Sequence, residues 1–135
     1  MDSKDLAHQL ADLAFDKKAF HLKILHVADF VGYTDYLVVC SGRSDRQVKA
    51  IGDHIALTMK KSHERLPAGT EGSENGQWVL LDYGDVIIHI LHAPIREYYD
   101  LDTLWADAPQ LPVDEPDWEQ EMRESVFEQG VLYQP

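Results

Sequence analysis

The segment Ser41–Asp45 contains the residue types that could bind a phosphate group. It lies between a predicted strand and a predicted helix, where backbone N–H groups and the helix dipole favour an anion. Its spacing matches neither the P-loop nor the glycine-rich dinucleotide fingerprint. A turn explains Gly42, and capping of the next helix explains Ser44. A nucleotide- or phosphate-binding enzyme or sensor that uses residues 42–45 stays open as the alternative function.

Pairs of carboxylates offer little for metal-dependent catalysis. Asp82 and Asp85 flank a predicted hairpin turn, where Asp is favoured for its local backbone hydrogen bonds alone. Asp100 and Asp102 are two residues apart on a predicted helix, where such side chains diverge. No predicted strand carries two carboxylates on one face, so the sequence argues against a metal-assisted group transfer.

The seven histidines and the single cysteine do not form a reactive group either. His89 and His92 are three residues apart on a predicted strand and point to opposite faces. His54 and His63 lie on opposite sides of a predicted helix. Cys40 lies in the most apolar strand, where a thiol packs as an inert side chain, and one cysteine cannot form an internal disulfide or a cysteine-based zinc cluster. We therefore expect no catalytic residue, no cofactor and no metal.

The charge of the chain restricts its partners. Among 135 residues, 24 Asp and Glu against 12 Lys and Arg give a net charge of −12. This balance argues against direct nucleic-acid binding through a cationic surface and suits a basic protein partner. No secretory signal is visible, and no apolar run approaches the roughly 20 residues that a membrane span requires. We expect a cytoplasmic protein without a membrane partner.

The apolar residues follow helical and strand periods in turn, which predicts an α/β fold. Helices are predicted at residues 3–18, 44–67 and 94–105, the second beginning with the capping box of Ser44 and Gln47. Strands are predicted at residues 22–27, 36–41, 77–81 and 86–92. A polar loop containing Gly69, Gly72 and Gly76 precedes the third strand. The order α-β-β-α-β-β-α predicts a mixed sheet flanked by helices.

The predicted hairpin and the helix after it concentrate residue types that are common at binding hot spots. Trp78, Leu80 and Asp82 share one face of the first strand, and the second strand is apolar except for His89. Strands that are apolar on both faces need cover from helices or from a partner. Four large or charged side chains follow: Arg96, Tyr98, Tyr99 and Trp105. About half of the aromatic residues are expected in the core, because large aromatic side chains are mostly buried.

Several segments resemble the signatures of the ribosomal silencing factor family, also called Iojap-like. The first signature corresponds to Asp35–Gly42 and the residues from Ser44 to Ile51. The second corresponds to Glu71–Gly72, Trp78–His89 and Arg96–Trp105. The order and spacing of these motifs are specific, and the resemblance covers about residues 3–106. It implies a family domain over residues 1–106 and an acidic C-terminal extension over residues 107–135.

The resemblance implies a binding protein and not an enzyme. Members of the family bind the large ribosomal subunit through its basic protein conventionally numbered fourteen. They thereby block joining with the small subunit and act as translational repressors. The implied fold has a nucleotidyltransferase-like topology without the catalytic carboxylates, and some members form homodimers.

The contact surface is expected on the hairpin face and the segment after it. Trp78 and Leu80 would be apolar anchors, and Asp82 would pair with a basic side chain of the partner. Four further residues would complete this patch or support it: Tyr83, His89, Arg96 and Tyr99.

The acidic extension has no role that the resemblance assigns. Its proline residues predict an extended linker over residues 106–116, and Asp117–Gln129 predicts a short amphipathic helix. The apolar side chains of this helix are Trp118, Met122 and Phe127. They could dock on the body or on a second subunit, while a mobile acidic tail is the alternative. The extension could lengthen the ribosomal contact, cover the partner-binding face or join a dimer.

Overall fold

Six strands form one mixed sheet in the computed structural model, which describes residues 1–72 and 74–128. The strands are β1 (Phe20–His26), β2 (Tyr36–Gly42), β3 (Gly69–Glu71), β4 (Trp78–Asp82), β5 (Val86–His92) and β6 (Gln110–Leu111). The helices are α1 (Ser3–Asp16), α2 (Asp45–His63), α3 (Ala93–Tyr99), α4 (Leu101–Leu104) and α5 (Glu119–Glu128). The strand order is β3-β4-β5-β2-β1-β6, with β2 and β5 parallel and the other neighbours antiparallel. The predicted α/β architecture is confirmed.

Helices α1 and α2 cover one face of the sheet. The Ser44 hydroxyl accepts the N–H of Gln47 at 3.1 Å, which confirms the predicted start of α2. The α2 stripe that faces the sheet is fully buried: Val48, Ile51, Ile55 and Met59. Burial of each such side chain contributes about 1.5–3 kcal/mol to folding. The buried cluster on this face is the largest among the described residues.

The other face of the sheet is covered only in part. A smaller core of Leu25, Leu37, Val39, Ile87 and Leu91 lies there, with Ile95, Leu101 and Trp105 from the segment that contains α3 and α4 packed against it. These short helices lie above the middle of the sheet. Strand β4, next to the sheet edge, keeps half-buried side chains on this face.

Three sequence predictions need correction. The loop predicted at residues 69–76 contains β3, which pairs with β4. The helix predicted at residues 94–105 is divided at Asp100, whose φ of 50° is left-handed. The linker predicted at residues 106–116 contains β6, because the free edge of β1 needs hydrogen-bond partners and His26 N–H finds the Pro109 carbonyl at 2.8 Å.

The C-terminal extension packs on the body through α5 and the turn before it. Trp118 lies edge-on to Phe15, with 6.2 Å between the ring centroids, and Met122 packs against Phe20. The predicted docking on the body is confirmed for these two side chains, so a mobile tail does not describe this part of the extension. The side chain of Phe127 and all of Gln129 lie outside the described residues.

Glu119 anchors this extension in a way that its sequence did not indicate. Its side chain is fully buried, and its Oε1 accepts the N–H of His21 at 2.7 Å. His21 lies where the register of β1 shifts, with a left-handed φ of 51°, so its N–H has left the sheet ladder. Arg123 pairs with the other carboxylate oxygen at 3.2 Å.

Candidate functional site

The half-covered face of the sheet beside β4 is the candidate site, and we call it the open face. Its residues are Glu71, Trp78, Leu80, Asp82, His89 and Tyr99. Strand pairing places Glu71 opposite Leu80, and Leu80 opposite His89, so these three side chains form one row across β3, β4 and β5. A groove of about 350 Å³ runs beside Trp78 and Leu80 and is also lined by Glu71 and Gly72. Trp78, Leu80 and Asp82 lie on this one face of β4, as the sequence predicted.

A hydrogen bond between two aromatic rings fixes the centre of the open face. The Trp78 indole Nε1–H donates to His89 Nδ1 at 3.0 Å. An Nδ1 that accepts leaves the ring proton on Nε2, so His89 is neutral in this arrangement. Burial lowers the pKa of His89 to about 4, which keeps the ring neutral at physiological pH. His89 therefore holds the Trp78 indole in place by accepting this hydrogen bond, and it adds no charge to the surface.

Tyrosine rings border Trp78 towards α3. The Tyr99 ring centroid is 5.3 Å from that of Trp78, and Tyr98 lies edge-on to Tyr99 at 5.1 Å. Tyr98 is 78% exposed and Tyr99 is 56% exposed, so both present apolar area to solvent. Trp78 and Leu80 are half-buried, which leaves part of each available to a partner.

Asp82 has a structural task on the open face. Its Oδ1 accepts the N–H of Gly84 at 2.7 Å and closes the turn between β4 and β5. Gly84 has a φ of 85°, which favours glycine. An ion pair between Asp82 and a basic partner stays a prediction, and one carboxylate oxygen is already used by the turn.

Two predicted site residues do not lie on the open face. Tyr83 is 4% exposed and packs in the core under α1 and α2, where burial raises its pKa to about 12. Arg96 is 3% exposed, because its guanidinium points inward to Asp102, Ser41 and the His21 carbonyl. Both side chains are thus too buried to complete the patch by direct contact, which corrects that half of the expectation. Arg96 holds α3 in place, which fits the supporting role that was the other half.

Glu71 joins the open face although its strand was predicted as a loop. Strand β3 has three residues, which is too short for a recognisable alternation. The signal that could have revealed it is the apolar strand β4, whose outer edge also requires a hydrogen-bonded neighbour. Gly72 then ends β3 with a left-handed φ of 80°, close against the Trp78 backbone.

The alternative site at residues 42–45 is occupied by the chain's own contacts. Gly42 packs so closely on α2 that an added Cβ would lie 2.7 Å from Val48 Cγ2. The Gln47 side-chain oxygen accepts the Arg43 N–H, and the Gln47 backbone N–H donates to the Ser44 hydroxyl, so two N–H donors that a phosphate would need are already used. Cys40 is fully buried, and burial raises the pKa of its thiol to about 12.

The described residues hold neither a metal site nor a membrane span. Across residues 1–72 and 74–128, no group of three His, Cys, Asp or Glu side chains is arranged to bind a metal ion. None of the helices in that part of the chain has both the length and the apolar character needed to cross a bilayer.

Comparisons with known proteins agree on one family. The model of the family described as "Ribosomal silencing factor during starvation" matches residues 1–130. The chain is 34% identical over 114 residues to the ribosomal silencing factor RsfS of Bacillus subtilis, covering 84% of this chain and 96% of that one. The chloroplastic Iojap protein of Arabidopsis thaliana is 32% identical over 110 residues, which are 82% of this chain and 45% of the relative.

Solved structures share the fold. A crystal structure of a protein from Chromobacterium violaceum matches with a TM-score of 0.75 and 28% identity, covering 87% of this chain and 92% of that one. A second, from Bacillus halodurans, has a TM-score of 0.71 and 30% identity over 82% of this chain and 99% of its own. The resemblance found in the sequence is thus confirmed by the family model, by named relatives and by structure. The chain belongs to the ribosomal silencing factor family.

Proposed function

We propose that this protein is a translational repressor that binds the large ribosomal subunit and sterically blocks its joining with the small subunit. Membership of the silencing factor family supports a regulatory role at the ribosome. The observation that carries the proposal is the open face, where half-buried Trp78 and Leu80 lie at a groove bordered by the acidic side chain of Glu71. The proposed mechanism needs affinity and position, and no chemical step, so we propose a non-enzymatic protein without a cofactor.

The partner we propose is the basic large-subunit protein conventionally numbered fourteen. Large aromatic and aliphatic side chains supply binding energy when a partner removes them from water, and Trp and Tyr are enriched at such hot spots. The net charge of −12 attracts a basic protein and repels RNA phosphates. We therefore propose that the contact is made to protein, with no direct nucleic-acid binding, and that it takes place in the cytoplasm.

All open-face residues lie before position 106, so we keep the proposal that residues 1–106 form the ribosome-binding domain. The extension that begins at residue 107 would then support the fold, since β6 and α5 pack on β1, which β5 and β2 separate from β4 in the sheet. A homodimer, as the resemblance implies, is a further proposal. The molar mass in solution, measured by light scattering, tests it.

The main experiment is co-sedimentation of the purified protein with separated large and small subunits at physiological salt. We expect binding to large subunits only, and loss of joined ribosomes when small subunits are added afterwards. Trp78→Ala should weaken binding by about 30-fold or more, since truncation of a hot-spot residue costs about 2 kcal/mol or more.

The matched control is Tyr33→Ala. Tyr33 is 64% exposed and lies in the loop between β1 and β2, outside the open face. The Tyr33→Ala variant should bind large subunits with the affinity of the unchanged protein. Both variants are first compared by circular dichroism and thermal melting, because Trp78 also bonds His89. Binding of folded Trp78→Ala within twofold of the unchanged protein would remove Trp78 from the proposed contact.

The alternative of a nucleotide- or phosphate-binding sensor has a direct test. A ligand at 100 times its dissociation constant stabilises the fold by about 2.7 kcal/mol. Thermal melting with a panel of nucleotides and magnesium should therefore show a clear shift if residues 42–45 bind one. We expect no shift, because Gln47 and Ser44 use the donors of that loop.

A further inference from the structure

We infer that the groove beside Trp78 receives a long basic side chain of the protein partner, with Glu71 as its counter-ion. This inference rests on the proposed function and names the chemistry that the open face selects. The groove of about 350 Å³ is lined by Glu71, Gly72, Trp78 and Leu80. It combines apolar walls with one carboxylate at the rim.

Among the described residues, the two carboxylates of the open face, Glu71 and Asp82, have no cationic side-chain partner. Within the part of the chain that the structure describes, Asp102 pairs with Arg96 and Lys23, and Glu119 pairs with Arg123. No Lys, Arg or His of the described residues pairs with Glu71 or with Asp82. Asp102 and Glu119 thus have cationic partners, while the two carboxylates on the open face carry negative charge without an ion pair beside apolar surface.

The backbone holds Glu71 against the groove. Glu71 is paired directly opposite Leu80, so both side chains project from the same face. Gly72 follows with a φ of 80°, and a Cβ at that position would lie 1.8 Å from the Trp78 carbonyl oxygen. Only glycine permits so close an approach, which fixes the end of β3 beside Trp78 and leaves the groove without a side chain from position 72.

An arginine or lysine side chain fits this combination. Its methylene groups can pack on Trp78 and Leu80 while its charged end reaches Glu71. Arginine suits the site better than lysine, because a planar guanidinium stacks on an indole ring and donates two parallel N–H hydrogen bonds to a carboxylate. His89 is neutral under Trp78, so it does not repel the incoming cation.

Equilibrium binding of the full chain to purified large subunits, measured at low and at high salt, tests this assignment. Glu71→Gln should weaken binding by about three- to tenfold at low salt, and the difference should shrink at high salt, because a solvent-accessible ion pair is screened. Glu71→Lys should weaken it further by placing like charges together. Glu74→Gln is the matched control, since it removes one exposed acidic charge from the same connection without lining the groove.

The outcomes separate this inference from the proposed function. If the unchanged protein binds large subunits, and Glu71→Gln and Glu74→Gln bind them with the same affinity as each other, the groove assignment is overturned and the proposed function is left intact. Absence of binding by the unchanged protein would overturn the proposed function and this inference with it. Because Glu71 is exposed and has no internal ion pair, all three variants should melt at the temperature of the unchanged protein, which excludes misfolding as the cause.

Discussion

Replacement of Arg96 by methionine should destabilise the fold strongly, although Arg96 lies next to the proposed contact surface. The side chain is 3% exposed and donates to Asp102 at 2.8 and 3.1 Å and to the Ser41 hydroxyl at 3.0 Å, with a further bond to the His21 carbonyl. It connects α3 to β1 and β2. Methionine keeps apolar length but leaves the Ser41 and His21 oxygens without this donor.

The magnitude follows from these contacts. Removal of one partner from a buried ion pair costs about 3–5 kcal/mol. The Asp102 side chain is 32% exposed and keeps Lys23 at 2.9 Å, so its charge is not stranded and the lower end applies. We expect a loss of about 3 kcal/mol, which for a chain of this size lowers the melting temperature by roughly 10 °C.

Urea denaturation followed by circular dichroism at pH 7 measures this loss. Arg43→Met is the matched control, because Arg43 is exposed after β2 and its replacement should change the free energy of unfolding by less than about 0.5 kcal/mol. A loss below about 1 kcal/mol for Arg96→Met would refute the reasoning, since three buried hydrogen-bond partners would then be dispensable. Arg96 would in that case return as a candidate for direct partner contact.

Three further predictions concern β3, the extension and pH. Gly72→Ala should cost about 1–3 kcal/mol in urea denaturation, because of its positive φ and the clash with Trp78, whereas Gly32→Ala, with nothing within 4 Å, should be neutral. Glu119→Gln should lower the melting temperature by several degrees by breaking its pair with Arg123, and an unchanged value would contradict an anchoring role. Burial lowers the pKa of His89 to about 4, so stability should fall as pH drops from about 6.5 to 4. His89→Asn should reduce that fall in pH-dependent melting, and the exposed His63→Asn should not.

Local sequence patterns predicted most of the fold. The alternation in β4 placed Trp78, Leu80 and Asp82 together because strand side chains alternate strictly. The start of α2 was predictable because capping by Ser44 is decided within four residues. Both features depend on neighbours in the chain, and that is the range over which a single sequence is informative.

Features that depend on distant partners were missed. Strand β6 has two residues and forms only because β1 offers a free edge. Arginine is seldom buried, and Arg96 is buried because Ser41, His21 and Asp102 converge on it from three separate segments. The extension contains eight acidic residues, and Glu119 is one of them. It differs from the others because its carboxylate accepts the His21 N–H that the irregular register of β1 leaves free. No local pattern encodes these contacts.

The same long-range contacts explain why the open face can serve as a binding surface in an acidic protein. Arg96 holds the α3 segment that carries Tyr99 beside Trp78, and its positive charge is paired with the carboxylate of Asp102. His89 fixes Trp78 while remaining neutral. The two groups that could have made this face cationic are thus buried and compensated, or uncharged. What remains for a partner is apolar area with negative charge at its rim, and on a ribosomal surface of RNA and basic proteins that combination favours protein over phosphate.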